Sequence, residues 1–262
     1  MLFLGYLLLG AFAGILGGLF GIGGGLIIVP VLVVSFHAQG IPGEIVTHLA
    51  LGTSMLTMIF TGLSSLRVHY SKGVVQWPLI RRLAGGMMVG AWLGGMTANL
   101  LSAGTLNLII GCFAWAMALQ MGLNLRPKAE RHLPGPVGTG IAGTLIGWLS
   151  AMFGIGGGSL TVPYLTWNSV PMKQAVAVSV AGSIPIALAG SLSYLYAGWG
   201  HAALPAWSLG YVYLPAWLGI VLTSTQFARL GARLAHRLSP QRLRQGFALL
   251  LLCVGAKFMI FS

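Results

Sequence analysis

One glycine-rich stretch occurs twice in this chain of 262 residues. Residues 20–25 read Phe-Gly-Ile-Gly-Gly-Gly, and residues 153–158 repeat the same letters 133 positions later. A Val-Pro pair begins four residues after each copy. Because self-similarity at a fixed offset is the signature of internal duplication, the sequence predicts a chain built from two repeats.

Three consecutive glycines favour a break in a helix, because glycine has low helix propensity and readily adopts positive φ. In a membrane, unwound backbone occurs only where it is buried in protein or lines a polar cavity. The alternative, close helix packing through small residues, accounts for pairs such as Gly14 and Gly18 but not for the triplet. A dinucleotide-binding fingerprint is excluded, because Leu26 and Ser159 replace its last glycine. We therefore predict a broken helix at a functional site in each copy.

Apolar residues make up 56% of the chain and charged residues only 6%. Apolar runs recur along the whole sequence, at about 2–36, 45–66, 77–101, 105–125, 136–169, 174–197, 207–235 and 243–261. This pattern predicts an all-α, polytopic integral membrane protein. The formal charge of +12 does not indicate nucleic acid as a partner. Its Lys and Arg residues fall between the apolar runs, as the positive-inside rule requires.

The distribution of Lys and Arg predicts the topology. Basic residues cluster near 67–82, 126–131 and 229–244, whereas the loops near residues 102 and 200 have none. We expect the basic loops at the cytoplasmic face and both chain termini outside. A straight helix over residues 2–36 would be ~50 Å long, against a ~30 Å hydrocarbon core, so this run must break or fold back.

Each half, residues 1–131 and residues 132–262, is therefore predicted to contain one broken or re-entrant helix hairpin and three transmembrane helices. The first hairpin run is expected to begin and end outside, and the second to begin and end at the cytoplasmic face. The two halves are therefore expected in opposite orientations. Inverted repeats of this kind are typical of secondary transporters, whose sites lie near the midplane where interrupted helices meet.

The doubled motif is joined by Ala-Leu-Gly-Thr-Ser at residues 50–54 and by a late Gly-x-x-x-Ala pattern that recurs at an offset of 137. Together these features resemble the sulfite exporter TauE/SafE family of membrane permeases over essentially the whole chain. The resemblance implies export or uptake of sulfur-containing anions such as sulfite, sulfoacetate and other organosulfonates, across a bacterial inner membrane. The second half departs from the pattern, because Val178 stands where the first half has Thr53.

Catalysis is not expected from this chain. Its only acidic residues are Glu44 and Glu130, and its six histidines lack metal-ligand spacing. No carboxylate pair is available for acid–base chemistry or for holding a metal. The sequence therefore indicates neither an enzyme nor a cofactor or metal site.

The glycine loops are the expected anion site. Each leads into a short apolar stretch, residues 26–35 and residues 159–167, whose free N–H groups and positive dipole end would hold an anion without a buried Lys or Arg. The proline that follows each copy fits a position near a helix start. At Gly23 and Gly156, in the middle of the motif, we expect a side chain to intrude on the ligand or to forbid positive φ.

Hydroxyl side chains on neighbouring helices complete the predicted site. Ser and Thr donate hydrogen bonds to oxyanions, but they also pack helices together or bond to their own backbone, and that alternative stays open for each residue. The predicted substrate-binding residues are Gly21, Gly23, Gly24, Gly25, Thr53, Ser54, Gly154, Gly156, Gly157, Gly158, Ser159 and Ser179.

These features predict a secondary transporter that moves a small anion by alternating access. Its expected partners are that anion and membrane lipid, and a homo-oligomer is compatible with the sequence. A membrane scaffold or assembly subunit is the main alternative outside transport, and an anion channel is the alternative within it.

Overall fold

The described parts of the protein are mostly helical. The computed structural model describes residues 2–20, 25–71, 73–122, 133–235 and 240–260. These ranges form α1 (Leu2–Phe20), α2 (Gly25–Ala38), α3 (Gly43–Ser71), α4 (Trp77–Asn99), α5 (Ala103–Gly122), α6 (Pro136–Met152), α7 (Gly158–Trp167), α8 (Met172–Ala197), α9 (Leu214–Ala235) and α10 (Pro240–Ile260). Of these, α3, α5 and α8 are long and apolar enough to cross a membrane. The prediction of an all-α polytopic membrane protein is confirmed.

Both long apolar runs are interrupted at the glycine motif. α1 ends at Phe20 and α2 begins at Gly25, while α6 ends at Met152 and α7 begins at Gly158. Residues 21–24 lie outside the described residues. The expected break is found in the second half, and in the first half the hydrogen bond from Gln39 to Tyr6 shows that α1 and α2 form a hairpin.

The run predicted over residues 207–235 is wrong at its start. Residues 208–213 form a short antiparallel hairpin of β1 (Ser208–Leu209) and β2 (Val212–Tyr213), and α9 begins only at Leu214. Gly210 turns the chain with a φ of +51°, and it packs directly on the backbone of Leu195. The helix therefore cannot start until the hairpin has returned.

The centre of the bundle is formed by α3 and α8, which run antiparallel. A side-chain carbon added to Gly52 would lie 3.0 Å from Tyr194, and one added to Gly62 would lie 3.0 Å from Ser183. Large apolar side chains on the outer helices remain exposed, including Leu8 at 66% and Leu249 at 64%. An apolar surface around a buried core is what a lipid environment permits.

Two further helix pairs join the first half of the chain to the second half. α1 lies along α9, and α6 lies along α4. Equivalent glycines make these contacts, Gly10 on Ile220 and Gly14 on Ser224 in one pair, Gly143 on Leu83 and Gly147 on Met87 in the other. The glycines differ by 133 positions and their partners by 137, the two offsets of the sequence matches. Close approach through small residues is how helices associate in lipid.

This recurrence supports a duplicated chain. The boundary predicted between residues 131 and 132 lies outside the described residues, so the division itself stays a prediction.

Side-chain hydrogen bonds sort the helix ends into two groups. At one end, Gln39 at the close of α2 donates to the Tyr6 hydroxyl of α1 over 2.6 Å, so the α1–α2 hairpin enters and leaves on the same side. At the other end, Gln76 donates to Gln174 over 2.6 Å and joins the starts of α4 and α8. The loop before α4 carries the basic residues near 67–82 that the charge pattern places at the cytoplasmic face. Which end faces the cytoplasm stays a prediction.

Candidate functional site

The second glycine loop, residues 153–157, begins with a Schellman motif that ends α6. The N–H of Ile155 donates to the Ser150 carbonyl over 2.8 Å, and the N–H of Gly154 donates to Ala151 over 3.2 Å. Gly154 adopts a φ of +64°, which glycine reaches without steric cost. The glycine thus terminates the helix and reverses the chain inside the bundle.

α7 starts from a second left-handed glycine. Gly157 is its N-cap with a φ of +74°, and its carbonyl accepts hydrogen bonds from the N–H groups of Leu160 and Thr161. No side chain caps this end. The N–H groups of Gly158 and Ser159 therefore lack an intrahelical acceptor and carry the positive end of the helix dipole. The expectation of positive φ at Gly156 is wrong, because the loop has its left-handed residues at Gly154 and Gly157 instead.

The prolines do not lie where they were expected. Pro30 and Pro163 are each the sixth residue of their helices, α2 and α7, rather than part of the first turn. A proline inside a helix cannot donate to the carbonyl four residues earlier. Each therefore removes one helical hydrogen bond, which frees the carbonyls of Leu26 and Ser159 beside the loops.

Two buried hydroxyls face the second glycine loop without a hydrogen-bond partner among the described residues. Ser150 on α6 and Thr161 on α7 are both fully buried. Each hydroxyl oxygen lies 3.5 Å from the position that a side-chain carbon would take on Gly157. An unsatisfied buried hydroxyl costs about 1–3 kcal/mol, so two of them beside one loop mark it as a candidate binding site.

Two of the predicted hydroxyls share this property. Ser159 on α7 is 5% exposed and Ser179 on α8 is 1% exposed, and neither oxygen has a partner in the described parts of the chain. Ser159 combines such a hydroxyl with a free backbone N–H at the start of α7. With the Tyr164 phenol on α7, five buried hydroxyls without a partner among the described residues thus belong to α6, α7 and α8.

The second glycine loop is held by the first half of the chain. Ser54 on α3 donates to the Gly154 carbonyl over 3.3 Å. Gly25, the first residue of α2, packs directly against that same carbonyl, and a side-chain carbon there would lie 3.0 Å from the Met58 sulfur. Two predicted residues, Ser54 and Gly25, therefore meet the loop at the interface between the halves.

Other predicted residues have different partners. Thr53 donates to its own helix at Leu49 over 2.6 Å and accepts the Tyr213 N–H over 3.0 Å, so it ties the β1–β2 hairpin to α3. Gly21, Gly23 and Gly24 lie outside the described residues.

The β1–β2 hairpin packs against α3 and α8 beside Thr53. Tyr211 in its turn packs on Gly52 of α3, and its ring lies 5.3 Å from that of His48 and 5.9 Å from that of His201. Burial raises the pKa of the Tyr211 phenol, and the charge of Glu44 adds to this shift. The phenol therefore stays neutral at physiological pH.

Sequence reasoning missed Ser150 and Thr161. The same positions in the first half are Gly17 and Ile28, so comparing the repeats gives no polar pattern there. Their distance from the motif could have identified them, because Ser150 lies in the last turn before the second glycine motif and Thr161 lies just after it. No three His, Cys, Asp or Glu side chains come together as a metal site in the described ranges.

Comparison with known proteins assigns the chain to a family. The model of the family described as sulfite exporter TauE/SafE matches residues 6–258. A Haemophilus influenzae protein named "Probable membrane transporter protein" is 37% identical, over 97% of each chain. A Methanocaldococcus jannaschii protein with a similar name is 30% identical, over 91% of this chain and 88% of its own. A further similarly named protein, from Bacillus subtilis, is 27% identical over 99% of this chain and 98% of its own.

No solved structure matches the chain. The broken helices, the apolar bundle and the matching family and relatives agree with one another. The chain belongs to the sulfite exporter TauE/SafE family, and it is a membrane transporter rather than an enzyme.

Proposed function

We propose that this transporter moves small sulfur-containing anions, such as sulfite or an organosulfonate, and that the anion binds at the start of α7. The description of the family supports the sulfur chemistry, while the names of the relatives say only that they are membrane transporters. The proposal for the site rests on the residues of the second glycine loop.

The observation that carries the site is the pair of buried, unpartnered hydroxyls of Ser150 and Thr161, each 3.5 Å from the side-chain position of Gly157. A sulfur oxyanion presents several acceptor oxygens on a compact, charged group. The two hydroxyls would donate to it, and the N–H groups of Gly158 and Ser159 would add the favourable field of a helix N-terminus. Such a site holds an anion without a buried Lys or Arg.

Alternating access is the proposed mechanism. Inverted repeats move against each other about a site at their interface. In this chain Ser54 and Gly25 of the first half contact the Gly154 turn of the second half. Rocking of α6 and α7 against α3 would change this contact and carry the hydroxyls of the site with the hairpin.

The proposed orientation has both termini outside a bacterial inner membrane, with residues 1–131 and residues 132–262 as inverted repeats. Glycosylatable or thiol-reporter tags at residues 40, 103, 130 and 201 test this arrangement. We expect tag 130 on the cytoplasmic side and the other three outside. Tag 130 on the side opposite the loop between α3 and α4 would contradict the inverted arrangement.

Flux measurements in proteoliposomes test the function. We expect uptake of ³⁵S-sulfite, kept anaerobic to prevent oxidation, to saturate with concentration and to be inhibited by sulfoacetate. Flux that rises linearly without saturation would indicate a channel, and absence of flux with folded protein would favour a scaffold. Either result would overturn the proposal.

A further inference from the structure

His48 is a buried titratable side chain that the proposed function leaves unused. It lies near the start of α3 and is only 4% exposed. Its Nε2 lies 3.0 Å from the carbonyl oxygen of Ala98 in α4, and because a carbonyl only accepts, Nε2 carries the hydrogen and donates it. Nδ1 is then an acceptor, and it has no hydrogen-bond partner among the described residues. The ring therefore keeps a buried lone pair that can bind a proton.

Backbone carbonyls lie around this ring. Those of Glu44 and Leu101 lie beside it, in addition to that of Ala98. A carbonyl cannot bond to a bare ring nitrogen, but it accepts a hydrogen bond once that nitrogen is protonated. The surroundings therefore provide acceptors that favour the protonated ring.

Three titratable side chains lie near His48. Glu44 lies one turn earlier on α3, while Tyr211 and His201 lie between α8 and α9. The Tyr211 ring is 5.3 Å from that of His48 and 5.9 Å from that of His201. α4 presents its backbone here, and α5 presents the uncharged Asn107. Because Glu44 and His201 are exposed, a proton from water has only a short way to the buried ring.

No buried carboxylate among the described residues can pair with a protonated His48. The two acidic residues of the chain are Glu44, which is exposed, and Glu130, which lies outside the described residues. A buried cation without a counter-charge is strongly unfavourable. An anion bound at the start of α7 would supply that counter-charge, so the proton and the anion would each favour the binding of the other.

Hydrogen bonds connect this end of the bundle to the second glycine loop. The Tyr211 N–H donates to the Tyr194 carbonyl over 3.1 Å, and the Tyr194 hydroxyl donates to the Ala151 carbonyl over 3.1 Å. The same Ala151 carbonyl accepts the N–H of Gly154 where α6 ends. The hairpin that contacts His48 and the loop of the proposed anion site thus belong to one hydrogen-bonded chain.

We infer that His48 is a proton-binding site linked to the anion site, and that its Nδ1 takes up one proton from water when the anion binds. The inference rests on the proposed function and adds the ion that binds together with the substrate. A proton needs no cavity, so the close packing around the ring is compatible with this site.

Proton uptake on binding of sulfite to the detergent-purified full chain tests the inference. Calorimetric titrations in buffers of different ionisation enthalpy count the protons taken up per anion. At about pH 7.5, above the ordinary pKa of histidine, wild type should take up as much as about one proton more per anion than His48→Gln. The Gln amide can still donate to the Ala98 carbonyl but does not titrate. Any proton that sulfite itself binds is common to both proteins and cancels in the comparison.

His201→Gln is the matched control, because His201 is exposed, and it should take up as many protons as wild type. Equal proton uptake in wild type and His48→Gln, or a loss confined to His201→Gln, would overturn the inference while the proposed function stands. Wild type alone also tests it if His48→Gln fails to fold. Sulfoacetate stays fully ionised at this pH, so its binding without proton uptake would overturn the inference too. Absence of both binding and flux in folded wild type would instead remove the proposed function.

Discussion

Removing the two hydroxyls at the second glycine loop should stabilise the empty protein while weakening its binding of substrate. Ser150 and Thr161 are fully buried and have no partner in the described chain. Each such group costs about 1–3 kcal/mol in the empty state. Thr161→Val keeps the shape of the side chain, and Ser150→Ala removes only one oxygen.

We expect the free energy of unfolding of the double variant to exceed that of wild type by about 2 kcal/mol. This value lies toward the low end of the cost of two unsatisfied groups, because Ser150→Ala leaves a small void. For chains near this size, 1 kcal/mol shifts the unfolding midpoint by roughly 2–4 °C, so the Tm should rise by about 4–8 °C. Sulfite at about 100 times its Kd should stabilise wild type by about 2.7 kcal/mol, and the double variant should lose most of that gain.

The assay is thermal unfolding of detergent-purified protein, followed by tryptophan fluorescence with and without sulfite. Ser191→Ala with Thr225→Val is the matched control, because both hydroxyls bond to their own helices over 3.0 and 2.9 Å. The control should unfold slightly earlier than wild type and keep its full sulfite shift. A double variant at Ser150 and Thr161 that unfolds earlier than wild type, with its sulfite shift intact, would refute the reasoning.

Three further predictions follow from the same contacts. Gly157→Ala should abolish most sulfite flux and lower the free energy of unfolding by about 1–2 kcal/mol, because the backbone there is left-handed. Gly156→Ala should lower it less, because the φ of Gly156 is not positive. Equal losses of Tm and of flux in the two variants would contradict this. Ser54→Ala should lower flux and cost about 1 kcal/mol by removing its hydrogen bond to the second glycine loop, and unchanged flux would count against that contact. Because burial raises the pKa of Tyr211 above 10.0 in the folded protein, Tyr211 should contribute stability below pH 10 that is lost as pH rises further. Tyr211→Phe should remove this loss of Tm at alkaline pH. The same dependence of Tm on pH in wild type and variant would argue against it.

The backbone of the site could be predicted from the sequence because glycine leaves a direct signature. Three consecutive glycines predicted the breaks, and the α6–α7 break lies where the second copy begins and ends. The sequence pointed to positive φ at Gly156 in the middle of the motif, whereas the left-handed glycines are Gly154 and Gly157. The left-handed position depends on the capping hydrogen bonds to the carbonyls of Ser150 and Ala151 at the end of α6. Helix propensity does not specify where such a cap forms.

The polar groups of the site were harder to predict. Thr53 and Ser54 are neighbours in the sequence, yet one ties down a hairpin and the other contacts the second glycine loop. Ser150 and Thr161 have no polar counterparts in the first half, so the repeat comparison passed over them. A hydroxyl's role depends on what lies opposite it after packing, and helical periodicity alone does not reveal that.

If the second glycine loop binds the transported anion, its hydroxyls must set the affinity for that anion. The initial rate of ³⁵S-sulfite uptake into proteoliposomes tests this, measured over a range of concentrations at matched amounts of folded protein. We predict that Ser150→Ala with Thr161→Val raises the KM at least about tenfold, as expected when hydrogen bonds to a charged ligand are lost, while Ser191→Ala with Thr225→Val transports like wild type. An unchanged KM in the first variant, or an equal loss of uptake in both, would contradict the account.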